Sequence, residues 1–322
     1  MRPHIRLFPV IVAVLLVVPR PALPFDGPLQ VRNQFPLFLP INPPYLESAA
    51  LRNFFSLGLS HSSVFVIADA AAWSVHMDLE LTEMDLRVAH VLSRRYAVGI
   101  EVPVLRPSGG FFDRPLDDYH DFLKWGDYGR SVRPMNGFLY EITRGGAPVI
   151  TGENDRAAAG DVRLTVKRAL RESGPAVSMQ ANIELPTGDP ERGYGSGGVD
   201  TSLAVLADVR IGERSAAFVN IGAGFPGDLK ARQTVDLRPY AFAGTGLEAA
   251  WWSRFSVIAQ TLVQTSPFPR TGIKQIDRPG LLLTIGGRYS FTGSCLEFSL
   301  TEDPNTTAAP DFTANVTFTQ KF

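Results

Sequence analysis

The sequence predicts an all-β chain: an antiparallel transmembrane β-barrel of about twelve strands, with one long extracellular loop containing a short helix. Three observations carry the prediction. Apolar and polar residues alternate with period two, the alternating runs are long, and short and long connections take turns between them. Period two places successive side chains on opposite faces of a strand. Length lets a tilted strand cross a bilayer, and regular exchange of turns with loops marks a barrel with a periplasmic and an external end.

The alternation is clearest from Val177 to Leu185, where Val177, Met179, Ala181, Ile183 and Leu185 are apolar and Ser178, Gln180, Asn182 and Glu184 lie between them. The last strand repeats it, with Phe312, Ala314, Val316 and Phe318 set against Thr313, Asn315, Thr317, Thr319 and Lys321. Twelve strands are predicted near 52–67, 72–92, 95–106, 160–171, 174–187, 199–211, 214–224, 237–249, 252–265, 279–290, 294–302 and 312–322. Most exceed the mean soluble strand of about 5 to 6 residues and reach the roughly 9 to 11 that cross a bilayer at a tilt.

Short turns fall at Ser93–Arg94, Glu172–Ser173, Gly212–Glu213, Ala250–Trp251 and Thr292–Gly293, and longer connections at 107–159, 188–198, 225–236, 266–278 and 303–311. Counted back from a periplasmic C-terminus, every long loop lands outside; only the connection near 68–71 is short where a long one is allowed. The second strand changes apolar face, from Trp73, Val75, Met77, Leu79 and Leu81 to Met84, Leu86 and Val88. A β-bulge near Thr82 and Glu83 is the expected cause.

Residues 1–24 read as a signal peptide, with Arg2 and Arg6 ahead of an apolar run from Leu7 to Val18 that is too short for a spanning helix. Residues 25–51, rich in proline, are expected to lie in the periplasm or to plug the lumen, and residues 52–322 to form the barrel. Cys295 is the one cysteine, which excludes an internal disulfide and a lipid-anchored N-terminus. The net charge of −1 without a basic run excludes a nucleic-acid partner. The expected location is the bacterial outer membrane, with its lipid as one partner.

The terminal strand resembles the C-terminal signal read by the barrel-assembly machinery, through Phe312, Ala314, Val316, Phe318 and the final Phe322; Gln320 departs from it. The run Gly27-Pro28-Leu29-Gln30-Val31-Arg32-Asn33-Gln34-Phe35-Pro36, with Gly109-Gly110-Phe111-Phe112-Asp113 and Tyr119-His120-Asp121, resembles the bacterial family called domain of unknown function 3187. Leu185-Pro186-Thr187-Gly188-Asp189, with Gly195-Ser196-Gly197-Gly198 and Asp200, is similar to barrels of the meta-pathway phenol-degradation transporter type. The resemblances imply an outer-membrane barrel and a small-molecule solute, an apolar one among the candidates.

A connection as long as 107–159 is usually functional or disordered. Phe111, Phe112, Asp113, Tyr119, His120 and Trp125 are the candidate gating residues, and Leu116, Tyr119 and Leu123 at helical spacing suggest a short helix at the barrel mouth. An aromatic girdle with a solvated loop is the plainer alternative. If the polar faces point inward, Arg163, Lys167, Gln180, Asn182, Glu184, Asp208, Arg210, Gln260, Gln264, Arg288, Glu297, Asn315 and Lys321 line the lumen. Both signs of charge occur, so no simple ion selectivity follows.

No metal, cofactor or catalytic site is predicted. The loop carboxylates near His120 match no calcium-loop spacing, and Gly195–Gly198 lacks the Gly-Lys-Ser/Thr of a phosphate loop. His61 with Ser62 and His76 with Ser74 lack the surroundings of a nucleophile. The expected function is a passive channel or transporter for a small molecule. A closed structural or adhesive barrel is the alternative, and a lipid-modifying barrel enzyme the third.

Overall fold

The computed structural model describes residues 25–112, 134–172 and 174–322. Its strands are β1 (Phe54–Asp69), β2 (Trp73–Ser93), β3 (Tyr96–Ser108), β4 (Leu139–Arg144), β5 (Ala147–Thr151), β6 (Ala158–Ala159), β7 (Val162–Arg171), β8 (Ala176–Leu185), β9 (Asp200–Ile211), β10 (Ser215–Phe225), β11 (Leu229–Lys230), β12 (Thr234–Val235), β13 (Tyr240–Ala250), β14 (Phe255–Gln264), β15 (Gly280–Ser290), β16 (Ser294–Glu302) and β17 (Phe312–Lys321). Twelve of them, β1 to β3, β7 to β10 and β13 to β17, pair with their neighbours in antiparallel order. The barrel closes where Phe54–Ser63 of β1 pairs with Lys321–Phe312 of β17. These are the twelve strands that the alternation predicts.

Side chains sort by parity along each strand. Leu57 and Leu59 of β1, Leu203 and Val205 of β9, Ile285 of β15 and Phe298 of β16 are exposed on the outer wall, whereas Ser56, Ser202, Gln260 and Asn315 are buried on the inner one. The outer wall has the apolar band a bilayer requires. At its periplasmic edge, Tyr96, Trp251, Trp252, Tyr289 and Phe291 are exposed, as in an aromatic girdle. Gln320 sits at the same edge, where its amide donates to the carbonyl oxygen of Gly293 at 3.0 Å and ties the last strand to the β15–β16 turn.

The second strand holds no bulge at Thr82 and Glu83. Its pairing with β1 runs unshifted from Phe54 opposite Ala89 to Asp69 opposite Ser74, and its pairing with β3 shifts only between Val91 and Ser93. Odd-numbered residues face inward throughout, and what changes is the material inside. Trp73, Val75, Met77, Leu79 and Leu81 belong to an apolar cluster at the external end, while Glu83, Asp85 and Arg87 below them meet charged partners.

The long second connection is partly sheet. β4 pairs with the external end of β2, from Trp73 opposite Arg144 to Asp78 opposite Leu139, and β4 and β5 form a hairpin. Gly145 and Gly146 turn that hairpin with φ of 62° and 77°, the left-handed region that a tight turn of this kind demands. The expected helix at Leu116, Tyr119 and Leu123 lies outside the described residues. The helical turns that are described, Pro190–Arg192 and Lys274–Asp277, belong to other external loops.

Residues 25–51 run inside the barrel. Phe25 packs on Phe218 near the periplasmic end, Leu29 bonds Gln260, and the Phe35–Ile41 stretch packs against Trp73, Tyr140, Ile150 and Phe268 at the external end. The chain then descends past Asn42, whose N–H donates to Glu184 at 2.5 Å, and past Ser48, which donates to Asp208 at 2.6 Å, before entering β1. The segment therefore crosses the lumen twice and, among the described residues, pairs with no strand.

Candidate functional site

The inner wall is built by the polar positions of the period-two strands, and several of them bond the inner segment. Arg163 pairs with Glu184 at 3.3 Å and approaches Glu101 at 3.8 Å. Lys167 reaches Glu47 at 3.5 Å and donates to the carbonyl of Ser48 at 2.9 Å. Asn182 accepts from Thr165 and donates to Ser202, each at 2.9 Å. Gln180 donates to Asn182 at 3.3 Å. Arg288, 1% exposed, pairs with Glu297 at 2.6 Å and Glu248 at 2.7 Å, and donates to the carbonyl of Gly27 at 2.7 Å.

The remaining wall residues fall in two groups. Gln260 clasps Leu29, accepting from its N–H at 3.0 Å and donating to its carbonyl at 3.3 Å, and Lys321 pairs with Asp26 at 2.5 Å. Asn315 instead accepts from Ser60 at 2.6 Å within the wall, and Gln264, buried, makes no side-chain hydrogen bond to the described residues. Arg210 lies at the periplasmic end, lining a hollow with Phe25 and Glu248.

Four wall residues absent from the sequence-based set matter most: Glu83, Asp85, Arg87 and Glu101. Arg32 of the inner segment pairs with Glu83, with Glu101 at 2.7 Å and with Asp85 at 3.4 Å. Arg87 pairs with Glu47 and, at 3.3 Å, with Glu101. Tyr45 lies among the cations, its ring centroid 5.0 Å from Arg32, 4.5 Å from Arg87 and 5.6 Å from Arg163, and its hydroxyl donates to Asp85 at 2.8 Å. Reading Glu83 as the site of a bulge hid the first three, which the odd-position parity of β2 would have exposed; Glu101 lies on β3.

Residues 27–49 of the inner segment are buried, apart from the half-buried Gln30. A cavity of about 10 Å³, room for a single water, lies beside Tyr45, Arg163 and Gln180, and one of about 50 Å³ lies beside Arg52 and Lys167. A wider vestibule of about 470 Å³ sits at the periplasmic end between Leu51, Ser93 and Arg171. At the external end Phe35, Leu37, Phe38 and Ile41 share an apolar cluster with Tyr140, Tyr194, Leu229, Phe268 and Ile276. Four external connections thus converge on one apex.

Phe111 and Phe112 do not cover the mouth. They fold back over the outer wall, where His61 stacks on Phe111 at 5.0 Å and meets Phe112 edge-on at 4.7 Å, and where Glu80 accepts the backbone N–H of both residues. Asp113, Tyr119, His120 and Trp125 lie outside the described residues. His61 bonds Glu80 at 2.6 Å and Thr82 at 2.8 Å on that outer face, while Ser62 points inward to Thr313 at 2.9 Å. His76 bonds Asp69 at 3.0 Å. Among the described contacts, neither histidine is paired with its neighbouring serine.

In the loops, Asp161 accepts the N–H groups of Gly188 and Ser196, each at 2.7 Å, and burial raises its carboxyl above the ordinary range. It fixes the Gly195–Gly198 segment as a structural loop. Phe318 faces outward, and Phe322 is 67% exposed beyond the end of β17.

Comparison with solved structures gives the same architecture. The COG4313 outer membrane channel from Pseudomonas putida F1 superposes with a TM-score of 0.57 over 88% of this chain and 100% of that one, at 14% identity. The NanC porin gives 0.49 over 84% and 100% at 8% identity, and the P. putida toluene transporter TodX gives 0.39 over 84% and 90% at 12% identity. The first likeness shows a shared barrel fold. No functionally curated protein matches the sequence. The family described as protein of unknown function, DUF3187, matches residues 10–322, so the chain belongs to that family.

Proposed function

We propose that this chain is an outer-membrane channel for small polar molecules, held shut by residues 25–51 acting as a plug. One observation carries the reading: the lumen houses two passes of polypeptide that are bound to the wall by hydrogen bonds and ion pairs and by no strand pairing. A bore wide enough for two passes has room for a solute once they move. Polar walls suit that role, because hydrogen-bonding side chains replace part of a solute's hydration shell.

The apolar outer band and the girdle support a place in the outer membrane, with lipid around the wall. Arg2, Arg6 and the Leu7–Val18 run support export by a cleaved signal peptide, and Phe318 with Phe322 supports recognition by the barrel-assembly machinery. The wall residues Arg163, Lys167, Gln180, Asn182, Glu184, Asp208, Arg210 and Arg288 are then the surface a solute meets.

Planar-bilayer conductance tests the reading. The wild-type barrel should pass little current, and deletion of residues 29–47 should raise its conductance at least tenfold. A deleted barrel that still resists detergent as a folded band yet carries no current would establish a closed structural barrel instead.

A further inference from the structure

The inner segment offers two charged side chains to one wall, and that wall answers each with the opposite charge. Arg32, 3% exposed, lies among Glu83, Asp85 and Glu101. Glu47, 6% exposed, lies between Arg87 and Lys167, and its backbone N–H donates to Asn220 at 2.6 Å. Pairing fixes the order of these groups along the barrel axis. On β2, Glu83 and Asp85 stand on the external side of Arg87; Arg87, Glu101 and Arg163 share one level, and Lys167 of β7 lies nearer the periplasm. The wall is thus acidic above and basic below.

A wall meant only to stiffen the barrel would satisfy its own charges. This one does not, for among the described residues Glu83 is hydrogen-bonded only by Arg32 and Gln34, both of the inner segment. Without the segment Glu83 loses both partners, and a cation at the upper pole takes the place of Arg32. A second observation lies between the poles. Gln180, 6% exposed, points into the small cavity beside Tyr45 and Glu47 with its Oε1 unbonded, and Arg163 Nε is likewise unbonded among the described residues. The cleft is therefore polar beyond what the segment uses.

We propose that this cleft of β2, β3 and β7 is a binding site for a small dipolar solute with a guanidinium or ammonium at one end and a carboxylate at the other, which Arg32 and Glu47 mimic. The proposal rests on the channel reading and names its solute class. The solute's cationic end takes the Glu83, Asp85 and Glu101 pole, and its carboxylate takes Arg87 and Lys167. Solute and segment compete, so binding favours the unplugged barrel.

The test uses the full chain with Arg32→Ala and Glu47→Ala, and titrates L-arginine by calorimetry in detergent and by block of ion current in a bilayer. L-arginine should bind at least tenfold more tightly to this variant than to wild type, and at least tenfold more tightly than agmatine, which lacks the carboxylate. Adding Glu83→Gln and Asp85→Asn should remove both differences. Equal affinity for L-arginine and agmatine would overturn the proposal while current still upholds the channel. Selective binding with no current would uphold the site and overturn the channel. Should the double variant fail to fold, Arg32→Ala alone gives a second measurement: methylguanidinium or methylammonium should raise its melting temperature more than sodium does, and an effect no greater than that of sodium from both would overturn the upper pole.

Discussion

Asp26 and Arg52 meet at the periplasmic end of the barrel. The Arg52 guanidinium donates to the Asp26 carboxylate at 3.2 Å and to its carbonyl at 2.8 Å, and Lys321 of the last strand holds the same carboxylate at 2.5 Å. One aspartate therefore closes the base of the inner segment and fastens it to the wall.

Asp26→Ala should loosen that base. Charge-assisted hydrogen bonds of this kind contribute about 1.5 to 3 kcal/mol, and Arg52 is partly exposed, which puts the loss at about 1 to 2 kcal/mol. A change of that size alters a closed-to-open ratio roughly 5- to 30-fold. Single-channel recordings should show open events more frequent by that factor. Unchanged opening would mean that the base does not restrain the segment.

Ser48 and Asp208 give a reversible lock. Ser48 donates to Asp208 at 2.6 Å, and the backbone N–H of Ala49 donates to the same carboxylate at 2.9 Å. In a Cys295→Ser background, Ser48→Cys with Asp208→Cys should form a disulfide that abolishes openings. Reduction should restore them within one recording. Openings that persist in the oxidised form would place the moving part elsewhere.

Arg288 holds the second fixed point, between Glu248, Glu297 and the carbonyl of Gly27. Arg288→Ala leaves two buried carboxylates without their cation and should cost about 3 to 5 kcal/mol. Combining it with Glu248→Gln and Glu297→Gln should recover much of the loss in urea unfolding from lipid vesicles. A single substitution no worse than the triple would show that water already reaches the pair.

Asp303 should give one external loop a pH response. Its carboxylate accepts the N–H of Asn305 at 2.9 Å and of Thr307 at 2.6 Å, yet burial, with Asp311 adding, pushes its pKa up to about 6. A raised carboxylate favours the protonated form in the fold. Its stabilising contribution is full below the ordinary range near pH ~4 and is lost as pH rises through about 6. Hydrogen exchange over residues 303–311, corrected for intrinsic rate, should show more protection at pH 5 than at pH 8. Asp303→Asn should flatten that difference, and protection that grew with pH would contradict the burial account.

The strands were legible because each side of the wall faces one solvent for its whole length: lipid outside, polar lumen within. Where that condition failed, so did the reading. Upper β2 faces an apolar apex, so Val75 to Leu81 looked like a change of face, and the charges at Glu83, Asp85 and Arg87 were lost from the wall. The β4–β5 hairpin was equally hidden, since its strands are short and Ile142, Val149 and Ile150 pack inward against Phe35 and Phe38 rather than showing a two-sided pattern. The lumen charges on β7 to β9 were legible from alternation alone. The inner-segment partners of Lys167, Glu184 and Asp208 were not, because Glu47, Asn42 and Ser48 come from a segment with no period of its own.

Both ends of the inner segment lie at the periplasmic opening, with Phe25 beside Phe218 and Arg52 about to enter β1. Topologically it is a bight pushed into a tube rather than a thread drawn through one. No strand seam runs through it, so the twelve seams of the barrel do not depend on its place.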